Sequence, residues 1–155
     1  MLNYKINIYI KKLLRLSNKA FKKGEIPVSA IIVDPVKNKI VSSAINQTKA
    51  KKNPILHAEI VAITKALKLS SSNRLDCFEI YVSLEPCPMC AAAISNVKLR
   101  TVYYCAEDKK SGGFINGPKL IYSKNIHYKP KFYYGFNENI FSDLMKKFFK
   151  KKRVN

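Results

Sequence analysis

Apolar residues Ile6, Ile10, Leu13, Leu14, Ala20 and Phe21 recur near helical spacing, and Gly24 follows where a C-terminal cap would stand. The pattern predicts an amphipathic opening helix of about 20 residues. The period then shortens. "PVSAIIVD" and "KIVSSAI" are rich in β-branched residues and flank the turn formers of "PVKN", which predicts a hairpin. Polar, basic "NQTKAKKNP" predicts an exposed loop, and Pro54 precedes a second helix over "ILHAEIVAITKALKL". His57 and Glu59 then fall in or just before its first turn. After the break "SSSN", "CFEIYVS" predicts a central strand and "PMCAAAISNV" a helix with Pro88 in the favoured first position and Cys87 as its N-cap. "RTVYYCA" predicts another strand, "EDKKSGGFINGP" a loop and "KFYYGF" a last strand. "ENIFSDLMKKFFKKKR" predicts a closing helix with a basic tail, spanning about residues 139–153. Strands alternating with helices imply an α/β layered fold.

A length of 155 residues suits one domain, 1–155, and a hydrophobic fraction of 47% without Gly/Ser- or Pro-rich tracts suits a folded globule. No internal repeat is visible. The formal charge of +19 favours a polyanionic partner, nucleic acid before anionic membrane. Lysine supplies 25 of the 29 basic residues, and Asn, Ile and Tyr are abundant, so A+T-rich codon usage is an equal explanation of the charge. Four cysteines without a secretory signature indicate reduced thiols, possible metal ligation and a cytoplasmic setting. The N-terminal "MLNYKINIYIKKLLRL" is interrupted too often by Lys, Asn and Arg for a signal sequence, and no run approaches membrane-spanning length. Its lack of acid before Glu25 leaves an organellar transit peptide as the alternative.

Two short stretches carry candidate chemistry. Cys87 and Cys90 can clamp one ion from a helix start, and His57 offers a third ligand. Three protein ligands leave one position open, as in catalytic zinc sites that acidify a water to about pKa 7. A helix N-terminus favours both thiolates. Glu59, two residues from His57, is a candidate proton shuttle rather than a ligand. A closed structural site would need Cys77 or Cys105 as fourth ligand; the simpler reading of both is as small buried hydrophobes. His127 reads as a surface residue. Taken together, His-x-Glu at one helix start and Pro-Cys-x-x-Cys at the next form the signature of zinc nucleobase deaminases.

The chain resembles bacterial tRNA-specific adenosine deaminases over nearly its whole length, through "EIPVSAIIV", "NPILHAEI", "YVSLEPCPMCAAAI", "EDKKSGG" and "FFKKKR". Ser29 and Ala92 stand where that family usually has Gly. The resemblance implies a cytidine deaminase-like, three-layer α/β/α fold around a five-stranded mixed sheet. It also implies a homodimer with one Zn2+ per subunit that converts the wobble adenosine of a tRNA anticodon stem-loop to inosine, mostly in an arginine tRNA. Matching positions make His57, Cys87 and Cys90 the zinc ligands and Glu59 the shuttle. Asn46, Val28, Leu84 and Ala58 match substrate-binding positions, and Asp108 an acid near the flanking ribose. Phe148, Phe149, Lys150, Lys151, Lys152 and Arg153 match the C-terminal helix that touches the RNA. Two rivals are a deaminase of a free base or nucleoside, such as cytosine or guanine, and a noncatalytic RNA-binding subunit. Asp108 and the basic tail favour RNA over the first; Glu59 favours catalysis over the second.

Overall fold

A computed structural model describes residues 2–154. Helix α1 (Leu2–Lys22) buries Ile6, Tyr9, Ile10, Leu13 and Ala20 on one face and leaves Lys11, Arg15 and Lys19 in solvent. It ends where Gly24 adopts φ +73°: the Glu25 N–H bonds Ala20 O and the Gly24 N–H bonds Phe21 O, each at 3.0 Å. These two bonds form a Schellman cap, which requires the left-handed conformation that Gly adopts without Cβ strain.

β1 (Ser29–Asp34) and β2 (Lys39–Ile45) form the expected antiparallel hairpin, its turn held by Asp34 Oδ1 accepting from the Val36 and Lys37 N–H groups at 3.0 Å each. α2 (Ala58–Ser70), β3 (Glu79–Leu84), α3 (Pro88–Asn96), β4 (Thr101–Ala106), a 3-10 turn (Leu120–Tyr122), β5 (Lys131–Tyr134) and α4 (Glu138–Val154) follow. The sheet order is β2-β1-β3-β4-β5, with β1 antiparallel to β2 and β3, and β3, β4 and β5 mutually parallel. Alternation along the strands feeds two cores. Ala30, Ile32, Ile80 and Val82 pack with α2 and α3 on one face; Ile31, Val33 and Tyr81 pack with α1 and Phe141 of α4 on the other. The fold is therefore the three-layer α/β/α arrangement expected from the sequence.

Ser29, buried in β1, is accommodated by polar partners. Its hydroxyl donates to Leu13 O at 2.9 Å and lies 2.8 Å from Ser17 Oγ, while its N–H donates to Ser83 Oγ at 2.9 Å. Several boundaries differ from the periodicity, β1 starting at Ser29 and α2 at Ala58, and three bear on named residues. β3 begins at Glu79, so Cys77 stands exposed in the preceding turn rather than buried at a strand start. β4 begins at Thr101 rather than Arg100, whose guanidinium instead pairs with Glu79 at 3.0 Å. β5 stops at Tyr134 because Gly135, at φ +88°, leaves the extended region. Cys105 is fully buried in β4, and His127 is exposed. No helix among the described residues is long and apolar enough to cross a membrane.

Candidate metal centre and substrate cleft

The strand directions bring the start of β1 and the ends of β2, β3 and β4 to one edge of the sheet. The first turns of α2 and α3 meet there. His57 is the N-cap of α2 and Cys87 that of α3, both with extended backbone and neither making a side-chain cap bond; Pro88 occupies the first turn and Cys90 follows one turn in. The side chains are thus free to converge. Cys87 Sγ and Cys90 Sγ each lie 3.6 Å from His57 Nδ1, and all three donors fall within 4.8 Å of one another.

That spacing tests a metal directly. Tetrahedral zinc, at about 2.3 Å from sulfur and about 2.0–2.1 Å from nitrogen, sets neighbouring S and N donors about 3.5–3.6 Å apart. The donor set therefore fits zinc in both chemistry and spacing. Neither Cys77 nor Cys105 joins the cluster among the described residues, which removes the closed four-ligand alternative. Among the donors themselves, charge is shared unequally. Hydrogen bonding from the Cys90 thiol, with a second bond from His57, lowers the Cys87 pKa to about 4. Cys90 is pushed up by the same bond and by burial, and His57 is raised chiefly by its bond to Cys87. A cation would displace the Cys90 proton and neutralise the excess thiolate charge.

Glu59, in the first turn of α2, is 3% exposed, and its Oε2 has no hydrogen-bond partner among the described residues. Burial raises its pKa to about 7. A buried carboxyl with a spare oxygen, titrating near neutrality, suits proton transfer.

A cleft of about 840 Å³ opens over these groups, with Val28, Asn46, Leu84 and Asp108 on its walls beside His57, Glu59 and Cys87. Lys109, Lys110 and Lys146 line it too, and so does Phe149, which is 41% exposed. Two of the predicted substrate- and RNA-contact residues are buried away from it. Ala58 is fully buried in the core and its side chain does not line the cleft. Phe148, expected to touch RNA, is 4% exposed, packs edge-on against Phe21 at 5.7 Å and has Lys152 Nζ over its ring at 5.1 Å. Its ring is a packing element between α4 and α1. Lys150, Lys151, Lys152 and Arg153 are exposed beyond the cleft.

Sequence reasoning missed Glu85. This buried carboxylate follows β3 and gathers the loop after β4: Oε1 accepts from the N–H groups of Phe114, Ile115 and Asn116 at 3.1, 2.9 and 3.0 Å. Oε2 accepts from the Asp108 N–H at 3.0 Å and Asn116 Nδ2 at 2.7 Å. A Cβ on Gly112 would stand 2.4 Å from Glu85 Cδ, and one on Gly113 2.8 Å from Pro88 N. The available signal was an acid beside "PC" together with the paired glycines downstream.

The cytidine and deoxycytidylate deaminase zinc-binding region matches residues 4–106, which span α1 through β4 and hold all three donors and Glu59. The chain belongs to this deaminase family. Deaminases similar to it include a tRNA-specific adenosine deaminase of Rickettsia bellii, 42% identical over 93% of this chain and 99% of the relative. Among solved structures, a chain from studies of A-to-I editing by tRNA:A34 deaminases at the wobble position superposes with TM-score 0.86 and 30% identity, covering 89% of this chain and 99% of that one. A guanine deaminase of Bacillus subtilis is 34% identical with TM-score 0.61, covering 65% of this chain and 64% of its own. The deaminase fold and a zinc-binding donor set are thus common to the family match and the site geometry.

Proposed function

We propose that this chain, as a single deaminase domain, hydrolyses adenosine to inosine at the wobble position of a tRNA anticodon. The observation that carries the chemistry is the buried Glu59 carboxyl, whose Oε2 has no hydrogen-bond partner among the described residues, beside a Cys87–Cys90–His57 donor set. Similarity over nearly the full length to tRNA-specific adenosine deaminases carries the substrate.

His57, Cys87 and Cys90 would hold a zinc ion, which would supply a water acidified to about pKa 7. The protein does the rest. Adenine C6 is a poor electrophile until N1 is protonated, so Glu59 delivers to N1 the proton that the attacking water gives up. It next carries a proton to the departing amine, and water plus adenosine become inosine plus ammonia. Val28 and Leu84 flank the base, Asn46 hydrogen-bonds the nucleoside, and Asp108 faces the adjoining ribose, where a 2′-hydroxyl distinguishes RNA. Flipping the base out of its stack costs a few kcal/mol, least in a loop already unpaired. Lys109, Lys110 and Lys146 attract backbone phosphates at the rim, and Phe149 offers a stacking face. Lys150, Lys151, Lys152 and Arg153 extend that charge. The family resemblance further supports a cytoplasmic homodimer and an arginine tRNA as substrate.

The second reading, a deaminase of a free base such as guanine, is favoured by the likeness to the Bacillus subtilis enzyme over part of the chain. Ammonia release separates the two. The tRNA reading expects turnover of an anticodon stem-loop, falling steeply as salt rises, and none of free guanine, cytosine or adenosine. Turnover of a free base without RNA, insensitive to salt, would overturn it.

A further inference from the structure

Asn46 enters the cleft already tied to a hydrogen-bond chain that runs back into the protein. Its Nδ2 donates to Thr48 Oγ1 at 3.3 Å, and the Thr48 hydroxyl donates to Glu25 Oε2 at 3.4 Å. Glu25 is 3% exposed and follows the Gly24 cap of α1; its Oε1 also accepts from the Ala50 N–H at 2.6 Å and its Oε2 from the Lys49 N–H at 3.2 Å. The Asn46 backbone is pinned as well, its N–H bonded to Val28 O at 3.1 Å. Neither Glu25 nor Thr48 lines the cleft.

The direction of this chain follows from donor chemistry. A carboxylate only accepts, so the single Thr48 hydrogen is committed to Glu25 and a lone pair of the hydroxyl is turned to Asn46. Only the NH2 end of the Asn46 carboxamide can meet a lone pair. One flip of the amide is therefore selected, leaving Oδ1 and the second Nδ2 hydrogen for a ligand. Without the hydroxyl, the soft terminal torsion of asparagine would admit both flips.

We propose that Thr48 and Glu25 are positioning residues that fix the flip of the Asn46 carboxamide and thereby set the donor and acceptor pattern that selects the nucleoside. The proposal rests on the adenosine deaminase reading above. Glu25 also anchors the backbone of the lysine-bearing loop at Lys49 and Ala50, whereas Thr48 contributes one hydroxyl. Thr48 is thus the cleaner residue to alter.

The experiment compares Thr48→Val, Thr48→Ser, Asn46→Ala and the Thr48→Val/Asn46→Ala pair in the zinc-loaded enzyme. Valine keeps the shape and removes the hydroxyl; serine restores it. Side-chain amide NMR of the free protein reads the flip without substrate. One Asn46 Nδ2 proton is expected to be protected from exchange in the wild type and Thr48→Ser, and to lose that protection in Thr48→Val. On stem-loop RNA, Thr48→Val is expected to lower kcat/KM roughly fivefold, the worth of one hydrogen bond, with zinc content unchanged. Thr48→Ser should recover it, and Thr48→Val should cost nothing further on the Asn46→Ala background. An unaltered Asn46 amide in Thr48→Val, or the same loss with Asn46 already removed, would overturn the proposal. If the wild type leaves RNA untouched, the adenosine reading fails, and the NMR comparison still decides the relay.

Discussion

Glu85→Gln replaces one buried carboxylate oxygen with an NH2 while keeping the side chain's shape. Glu85 is 2% exposed and accepts from five N–H donors, three on Oε1 and two on Oε2. Glutamine keeps a single acceptor oxygen. Its better orientation leaves that oxygen to Phe114, Ile115 and Asn116, and turns the new NH2 onto the Asp108 N–H and Asn116 Nδ2. The Asp108 N–H loses its partner, Asn116 Nδ2 keeps only its longer bond to Glu107 Oε1 at 3.4 Å, and both face the new NH2. Stranding a buried donor costs about 1–3 kcal/mol, so the loss is roughly 2–5 kcal/mol. In a chain of this size each kcal/mol moves the melting temperature by about 2–4 °C, which places the expected fall near 5–15 °C. Calorimetry of the zinc-loaded protein measures it. Hydrogen exchange at the Asp108 amide, whose acceptor is removed, beside Phe114 and Ile115, whose acceptor oxygen remains, locates it. An unchanged melting temperature with these amides still protected would refute the view that Glu85 holds the cleft wall in place.

Glu59→Gln should retain zinc and lose turnover by roughly 10²–10⁴, read by metal analysis beside single-turnover kinetics; native-like turnover or metal-free protein would contradict the shuttle role. Cys87→Ala should lose zinc and turnover together, the metal loss being visible in the purified protein. Phe148→Ala should destabilise by about 3–5 kcal/mol in a denaturant titration, whereas Phe149→Ala should leave stability nearly intact and raise KM for RNA. With zinc chelated, Glu59 binds its proton more tightly folded than unfolded, pKa about 7 against 4.5, so its contribution is present below pH 4.5 and is lost as pH rises through about 7. Glu59→Gln should flatten that fall, measured as the pH dependence of unfolding in the two metal-free proteins.

Much of the site was legible because its residues sit at positions that also encode local structure. His57 and Cys87 precede helical runs, Pro88 marks the first turn, and Gly24 marks a helix end, so their places follow from short-range rules. Glu85 and Glu25 escaped notice because most of their partners are backbone N–H groups, 23–31 residues away for Glu85 and 24–25 residues away for Glu25. A backbone donor carries no residue identity that a pattern could register. Phe148 and Phe149 show the same limit at close range. As helical neighbours they point in different directions, and only the packing of α4 on Phe21 decides that Phe148 turns inward and Phe149 toward the cleft. Cys77 was misjudged by a boundary, since Phe78 separates it from the first paired residue, Glu79.

The central claim is tested most directly by mass spectrometry of nucleosides released from an anticodon stem-loop RNA after incubation with the zinc-loaded protein, alongside free adenosine, cytosine and guanine. Inosine at the wobble adenosine, with the free compounds untouched, is the predicted result. Deamination of a free base with the RNA adenosine intact would contradict the substrate while leaving the zinc site and Glu59 in their roles.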